Sequence, residues 1–151
     1  MAEFEAEGFK VRTGVLEGIG EAKIMEIVFA GVHTHHWPKD GNPSRFIAGE
    51  VATVNPAALL FDLTDYHYEF GNEIWDPLAS AAMAVPSKPI MCWAIAATGI
   101  TAKRLKPLFW ESNLDKVFKL GLFDSVGSAL AFLRRALEEG SKVRSGGPAG
   151  V

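Results

Sequence analysis

Residues 57–70, AALLFDLTDYHYEF, decide how the chain folds. The first half of this stretch, 57–63, is a continuous apolar run of strand length, the pattern of a strand covered on both faces. A second run of that kind, IMCWAIA at 90–96, is bracketed by Pro86 and Pro89 before it and Thr98-Gly99 after it. Two such strands belong side by side and parallel at the centre of a sheet, and parallel neighbours need a crossover helix. Between them Ile74, Leu78, Ala81, Ala82 and Val85 recur at the helical period. Pro77 then falls in the first helical turns, where its missing N–H matters least.

Toward the N-terminus, 9–17 and 22–32 read as strands separated by Gly18-Ile19-Gly20, which lets them pair as a hairpin. The loop 33–43 leads to Ser44, read as the N-cap of a helix over 45–54 that buries Phe46, Ile47, Val51 and Val54. Toward the C-terminus a helix over 101–112 turns Leu105, Leu108 and Phe109 inward. Its Pro107 would cost about 3 kcal/mol in a helix interior and predicts a kink or an early stop. An edge strand at 116–123 follows, then Asp124-Ser125 as a cap, then a helix carrying Val126, Leu130, Leu133 and Leu137 that ends at Gly140. The expected order is β-β-α-β-α-β-α-β-α. This is an α/β domain over residues 1–140 with a mostly parallel central sheet, and 141–151 form a flexible C-terminal tail.

Composition narrows the function. The chain has 151 residues, 48% of them hydrophobic and 22% charged, with a net charge of -3, as expected of one globular domain. Its 15 basic residues are scattered among 18 acidic ones, so no basic stripe exists for a nucleic-acid backbone. The acidic opening MAEFEAEGFK is unlike a secretory signal, and no apolar run is long enough to span a membrane, so the expectation is a cytoplasmic protein binding neither nucleic acid nor membrane. Cys92, the single cysteine, sits in an apolar strand and reads as a structural thiol.

Two segments carry a family resemblance. Leu60-Phe61-Asp62-Leu63-Thr64 is similar to the hydrophobic strand of STAS domains, which ends in Asp-Leu-Ser. Asn113 to Phe118, with Leu122-Phe123-Asp124-Ser125-Val126 and Ala129-Leu130, resembles that family's closing Leu-Asp-x-x-Phe, strand, Asp-Ser, Ala-Leu pattern. The STAS family includes the anti-sigma-factor antagonists and stressosome scaffolds. The resemblance spans about residues 9–138 and implies a non-enzymatic regulator without cofactor. Its partner would be a regulatory kinase, an anti-sigma factor, a scaffold subunit or a second copy of the chain. The family's phosphorylated Ser or Thr opens the helix after the strand, where this chain has Phe70, Gly71, Asn72 and Glu73. No acceptor hydroxyl stands there, so the usual phosphoswitch is expected to be missing. Thr64 is the nearest alternative acceptor, set against a structural role at the strand's end.

The residues themselves offer further chemistry. In 65–70 the ionisable Asp65, His67 and Glu69 alternate with the aromatic Tyr66, Tyr68 and Phe70, so an extended chain separates the two sets onto opposite faces. We read this segment as a binding loop with aromatic anchors, continued by Gly71, Asn72 and Trp75 on the following helix, because Tyr and Trp are enriched where proteins touch. The alternative is an acid–base centre, or an anion site at the helix terminus near Gly71 in a small crotonase-like enzyme or ligand-binding protein. No nucleophile motif, P-loop or dinucleotide fingerprint accompanies it. His33 and His35 would face one way in an extended strand, and with His67 they are weak candidates for a metal site; the expected reading is a polar loop without metal.

Overall fold

A computed structural model of the chain describes residues 2–6, 8–33, 37, 41–69, 73–84, 92–112 and 119–145. In chain order the elements are β1 (Ala2–Ala6), β2 (Phe9–Glu17), β3 (Lys23–His33), α1 (Ser44–Val54), β4 (Ala58–Tyr68), α2 (Trp75–Ala82), β5 (Cys92–Ala96), α3 (Gly99–Ser112), β6 (Lys119–Phe123) and α4 (Val126–Ser145). Among the described residues six strands form one sheet, ordered as they occur in the chain. The first three pair antiparallel and the last four parallel. The fold is therefore α/β, and the described residues of the two apolar runs, 58–63 and 92–96, lie in adjacent parallel central strands as expected.

The continuous apolar runs are explained by what lies on each face. Leu59, Phe61, Leu63, Trp93 and Ile95 point into a core that also holds Ile47 and Val51 of α1, Leu78 and Ala81 of α2 and Leu105 of α3. Their alternates Ala58, Leu60, Cys92, Ala94 and Ala96 meet Ala129, Leu133, Ala136 and Leu137 of α4. Large side chains fill the first core. Small ones let α4 sit close on the second, and Cys92 is buried there, 1% exposed.

Four expectations are corrected in detail. A first strand, β1, precedes the predicted hairpin; Ala-Glu-Phe-Glu-Ala alternates half-buried and exposed residues, and its pairing with β2 supplies the order. Ser44 is not the cap but the first residue of α1, and its N–H is received by the Asn42 side-chain oxygen at 2.9 Å. Pro107 does not shorten α3, which stays helical through Ser112; Pro107 itself is exposed, so its ring stays out of the core. Gly140 does not end α4, which runs on to Ser145 and so takes in the first five residues assigned to the tail. The cap at its other end is as expected: Ser125 Oγ accepts the Ser128 N–H at 3.1 Å.

Candidate functional site

The segment 57–70 that decides the fold also builds the candidate site, through one irregularity. Val28 of β3 pairs with Asp62, yet Ala30 pairs with Asp65, so β4 uses three residues where β3 uses two. The extra residue is a β-bulge. Because side chains alternate with a period of two, one inserted residue exchanges the faces beyond it. Tyr66 and Tyr68, even-numbered like Leu60, are thereby moved to the large-residue core with Phe61 and Leu63. Asp62 holds the bulge: its Oδ1 accepts the Thr64 N–H at 3.0 Å and the Thr64 hydroxyl at 2.6 Å.

Thr64 is thus tied into the backbone irregularity rather than free. A phosphate on it would stand beside the Asp62 carboxylate, where like charge opposes it. Thr64→Val should lower stability by about 1 kcal/mol, the usual net value of one partly exposed hydrogen bond. The urea midpoint would report it, with the slope of the transition unchanged.

Beyond the bulge β4 outruns its neighbour, since the last pairing with β5 joins Asp62 to Ala96. The β5-side groups of Tyr66 and Tyr68 would otherwise be buried without partners. Thr101, in the first turn of α3 and 1% exposed, serves both: its hydroxyl accepts the Tyr68 N–H at 3.0 Å and donates to the Tyr66 carbonyl at 2.5 Å. One side chain stands in for a strand.

Above this buttress lies an aromatic cluster at the C-terminal ends of β3 and β4. His33, 1% exposed, stacks on Trp37 with centroids 4.4 Å apart and lies 5.0 Å from the Tyr68 ring. Trp37 stacks in turn on Phe9 at 5.5 Å. Glu73, just before α2, joins two of these residues: its Oε2 accepts the Trp37 backbone N–H at 3.1 Å and its Oε1 lies 3.5 Å from His33 Nε2. The loop after β3 is so connected to the entry of α2. Burial pushes the Tyr68 phenol up to about 12, helped by the Glu73 carboxylate and opposed by Arg104. Burial raises Tyr66 still further, against the influence of the Trp37 indole.

The predicted site residues fall into four groups. Tyr66 and Tyr68, expected as surface anchors, are 3% and 1% exposed and form the floor of the site; the alternation was real, but the bulge turned the aromatics inward. Phe70, Gly71, Asn72 and His35 lie outside the described residues. Trp75 opens α2, half-buried, with its ring 6.2 Å from Trp93. Of the histidines, His33 is in the core, whereas His67 is exposed on the opposite face with Nε2 3.0 Å from Glu69 Oε2. Those two do not converge, and among the described residues no three His, Cys, Asp or Glu side chains form a group able to hold a metal ion. Glu73 and Thr101 were missed in the sequence, where a glutamate before a helix and a threonine in its first turn are unremarkable. Met83, 76% exposed at the C-terminal end of α2, was missed too.

Comparison with solved structures gives a match. No family model matches the chain, and no curated protein matches it. The crystal structure of an anti-sigma factor antagonist from Mycobacterium paratuberculosis is similar at a TM-score of 0.54 and 23% identity, covering 82% of this chain and 94% of that one. The two share a fold, an α/β domain. No described helix is long and apolar enough to cross a membrane.

Proposed function

We propose that the chain is a non-enzymatic, STAS-type regulatory module that docks a protein partner through the outer face of α2 and the loop before it. The observation that carries this reading is the fold shared with an anti-sigma factor antagonist over most of both chains. The surface supports it. Trp75, Ala79 and Met83 recur at i, i+4 and i+8, so they form one stripe whose last member is 76% exposed. Tryptophan and the adaptable methionine side chain are suited to such a contact. Tyr66 and Tyr68 set the position of the stripe from beneath rather than touching the partner.

The phosphoswitch of the family is absent in this reading. Gly71 and Asn72 have no hydroxyl, and the first one on α2 is Ser80. The enzyme alternative has less behind it. An anion site at the start of α2 would meet two carboxylates, Glu73 before the helix and Asp76 in its first turn, whose charge opposes a further anion. The phenols below are raised far from the range useful for acid–base work near neutral pH.

The test is an affinity pull-down from the native cell extract with wild type, Trp75→Ala and Met83→Asp, using Val15→Asp on exposed β2 as control. A partner recovered with wild type and control should fall by about tenfold or more with both α2 variants, as for a hot-spot contact. Met83→Asp alters an exposed side chain and leaves the core intact. If both variants retain every partner, the docking surface is elsewhere.

A further inference from the structure

Among the described residues, the second face of the sheet is only half covered. Strands β3 and β4 are a parallel pair, and such pairs are ordinarily covered on both sides. On one side α1, α2 and α3 contribute to the core, but on the other α4 covers Ile24, Leu60 and the small residues of β5. Toward the C-terminal ends of β3 and β4 the bare face continues as Val28 and Ala30, half-buried, and Val32, 50% exposed.

Charge on this bare region is unbalanced. Its two cations, Lys10 and Arg12, stand opposite Glu5 and Glu3 in the β1–β2 register. On the other side of the valine row Asp62 and Asp65 pair in register with Val28 and Ala30, and Glu26 lies one row below. The Glu26 carboxyl is raised first by burial and then by the nearby Asp62, with Arg12 opposing. Beside the row a depression of about 280 Å³ is formed by Gly8, Ala30 and Gly31 between Glu5 and Lys10.

We propose that this uncovered half-face docks a basic amphipathic helix of a partner protein, laid beside α4 over Val28, Ala30 and Val32 with cationic flanks among Glu26, Asp62 and Asp65. The row has carboxylates on its β4 side and Lys10 and Arg12, in register with Ala30 and Val28, on its β2 side, so it complements a helix with an apolar stripe and Lys or Arg along the side that faces β4. The depression admits one bulky side chain from it. A helix rather than a strand fits, because the bare region is a face and α4 already forms half of a helical layer there. The carboxylates repel phosphate, so anionic lipid and nucleic acid are poor occupants. This surface is on the opposite side of the sheet from α2 and does not depend on the docking proposed there.

A labelled peptide of about 18 residues, roughly five helical turns, with leucines on one face and lysines on the others, is the probe for anisotropy titration against the full chain. Two controls keep its length: one has the same residues reordered to abolish the stripe, the other glutamate for lysine. The patterned basic peptide should bind, weaken with added salt, and lose affinity by about tenfold or more on Val32→Lys or Asp65→Lys. Met83→Asp should leave it unchanged. Equal binding by the reordered peptide, no measurable binding by the patterned one, or indifference to Val32→Lys and Asp65→Lys would each overturn the proposal. Both substituted side chains are surface groups, so a thermal melt close to wild type accompanies the expected result.

Discussion

Replacing Thr101 with valine should lower the stability of the fold by about 2–4 kcal/mol, since two buried backbone groups lose their partner at once. Valine keeps the shape of threonine but can neither donate to the Tyr66 carbonyl nor accept the Tyr68 N–H. No strand is at hand to replace it, because β5 ends opposite Asp62. Serine retains the hydroxyl, so Thr101→Ser should recover most of the loss. Urea unfolding of the three proteins would measure this, and a change in midpoint without a change in slope keeps the two-state comparison sound. A Thr101→Val protein as stable as wild type would mean that the end of β4 is held by other contacts. The same loss should reach the docking surface, because the end of β4 leads into the segment before α2. Partner recovery should therefore fall with Thr101→Val although Thr101 itself is buried, and should return with Thr101→Ser.

Most of the scaffold was legible because its signals are local. Strand length, apolar continuity and flanking prolines placed β4 and β5 in the middle of a parallel sheet, and the helical period found the four helices of the described residues. The boundaries were less legible where tertiary context overrode a local rule. Gly140 lies in a helix already nucleated and packed through Leu133 and Leu137, so a propensity cost of about 1 kcal/mol does not stop it. Ala-Glu-Phe-Glu-Ala is too short and too charged to read as a strand alone, yet β2 offers it an edge.

The site was legible only in part, for a different reason. The alternation of Asp65, His67 and Glu69 with Tyr66 and Tyr68 correctly separated charged from aromatic side chains. Which set faces inward depends on a single inserted residue at the bulge, and period-two patterning carries no information about it until the neighbouring strand is present. Asp62 and Thr64 are the local trace of that bulge, a carboxylate two residues before a hydroxyl. Contacts such as Glu73 to Trp37 span 36 residues and leave no local trace at all.

The inward turn of the aromatics has a spectroscopic consequence. Tyr66 and Tyr68 are the only two tyrosines in the chain, so phenolate absorption reports the floor of the site and nothing else. A free phenol is half ionised near pH 10. In the folded chain burial holds Tyr68 up to about 12 and Tyr66 higher. At pH 10 the native protein should therefore show almost no phenolate, whereas the same protein in urea should be about half ionised. The sign of the stability effect follows. Below the unfolded value both states keep their protons and nothing changes; as pH rises from 10 toward 12 the unfolded chain holds fewer protons than the folded one. Stability then falls by up to about 1.4 kcal/mol per pH unit for each phenol. Both tyrosines should ionise together in one cooperative step that coincides with loss of the far-ultraviolet signal. Since the Tyr68 hydroxyl has no hydrogen-bond partner among the described residues, Tyr68→Phe should be neutral or slightly stabilising at pH 7 and should halve the amplitude of the step. Phenolate appearing near pH 10 while the fold is intact would place the rings at the surface, and would restore them as direct anchors for a partner.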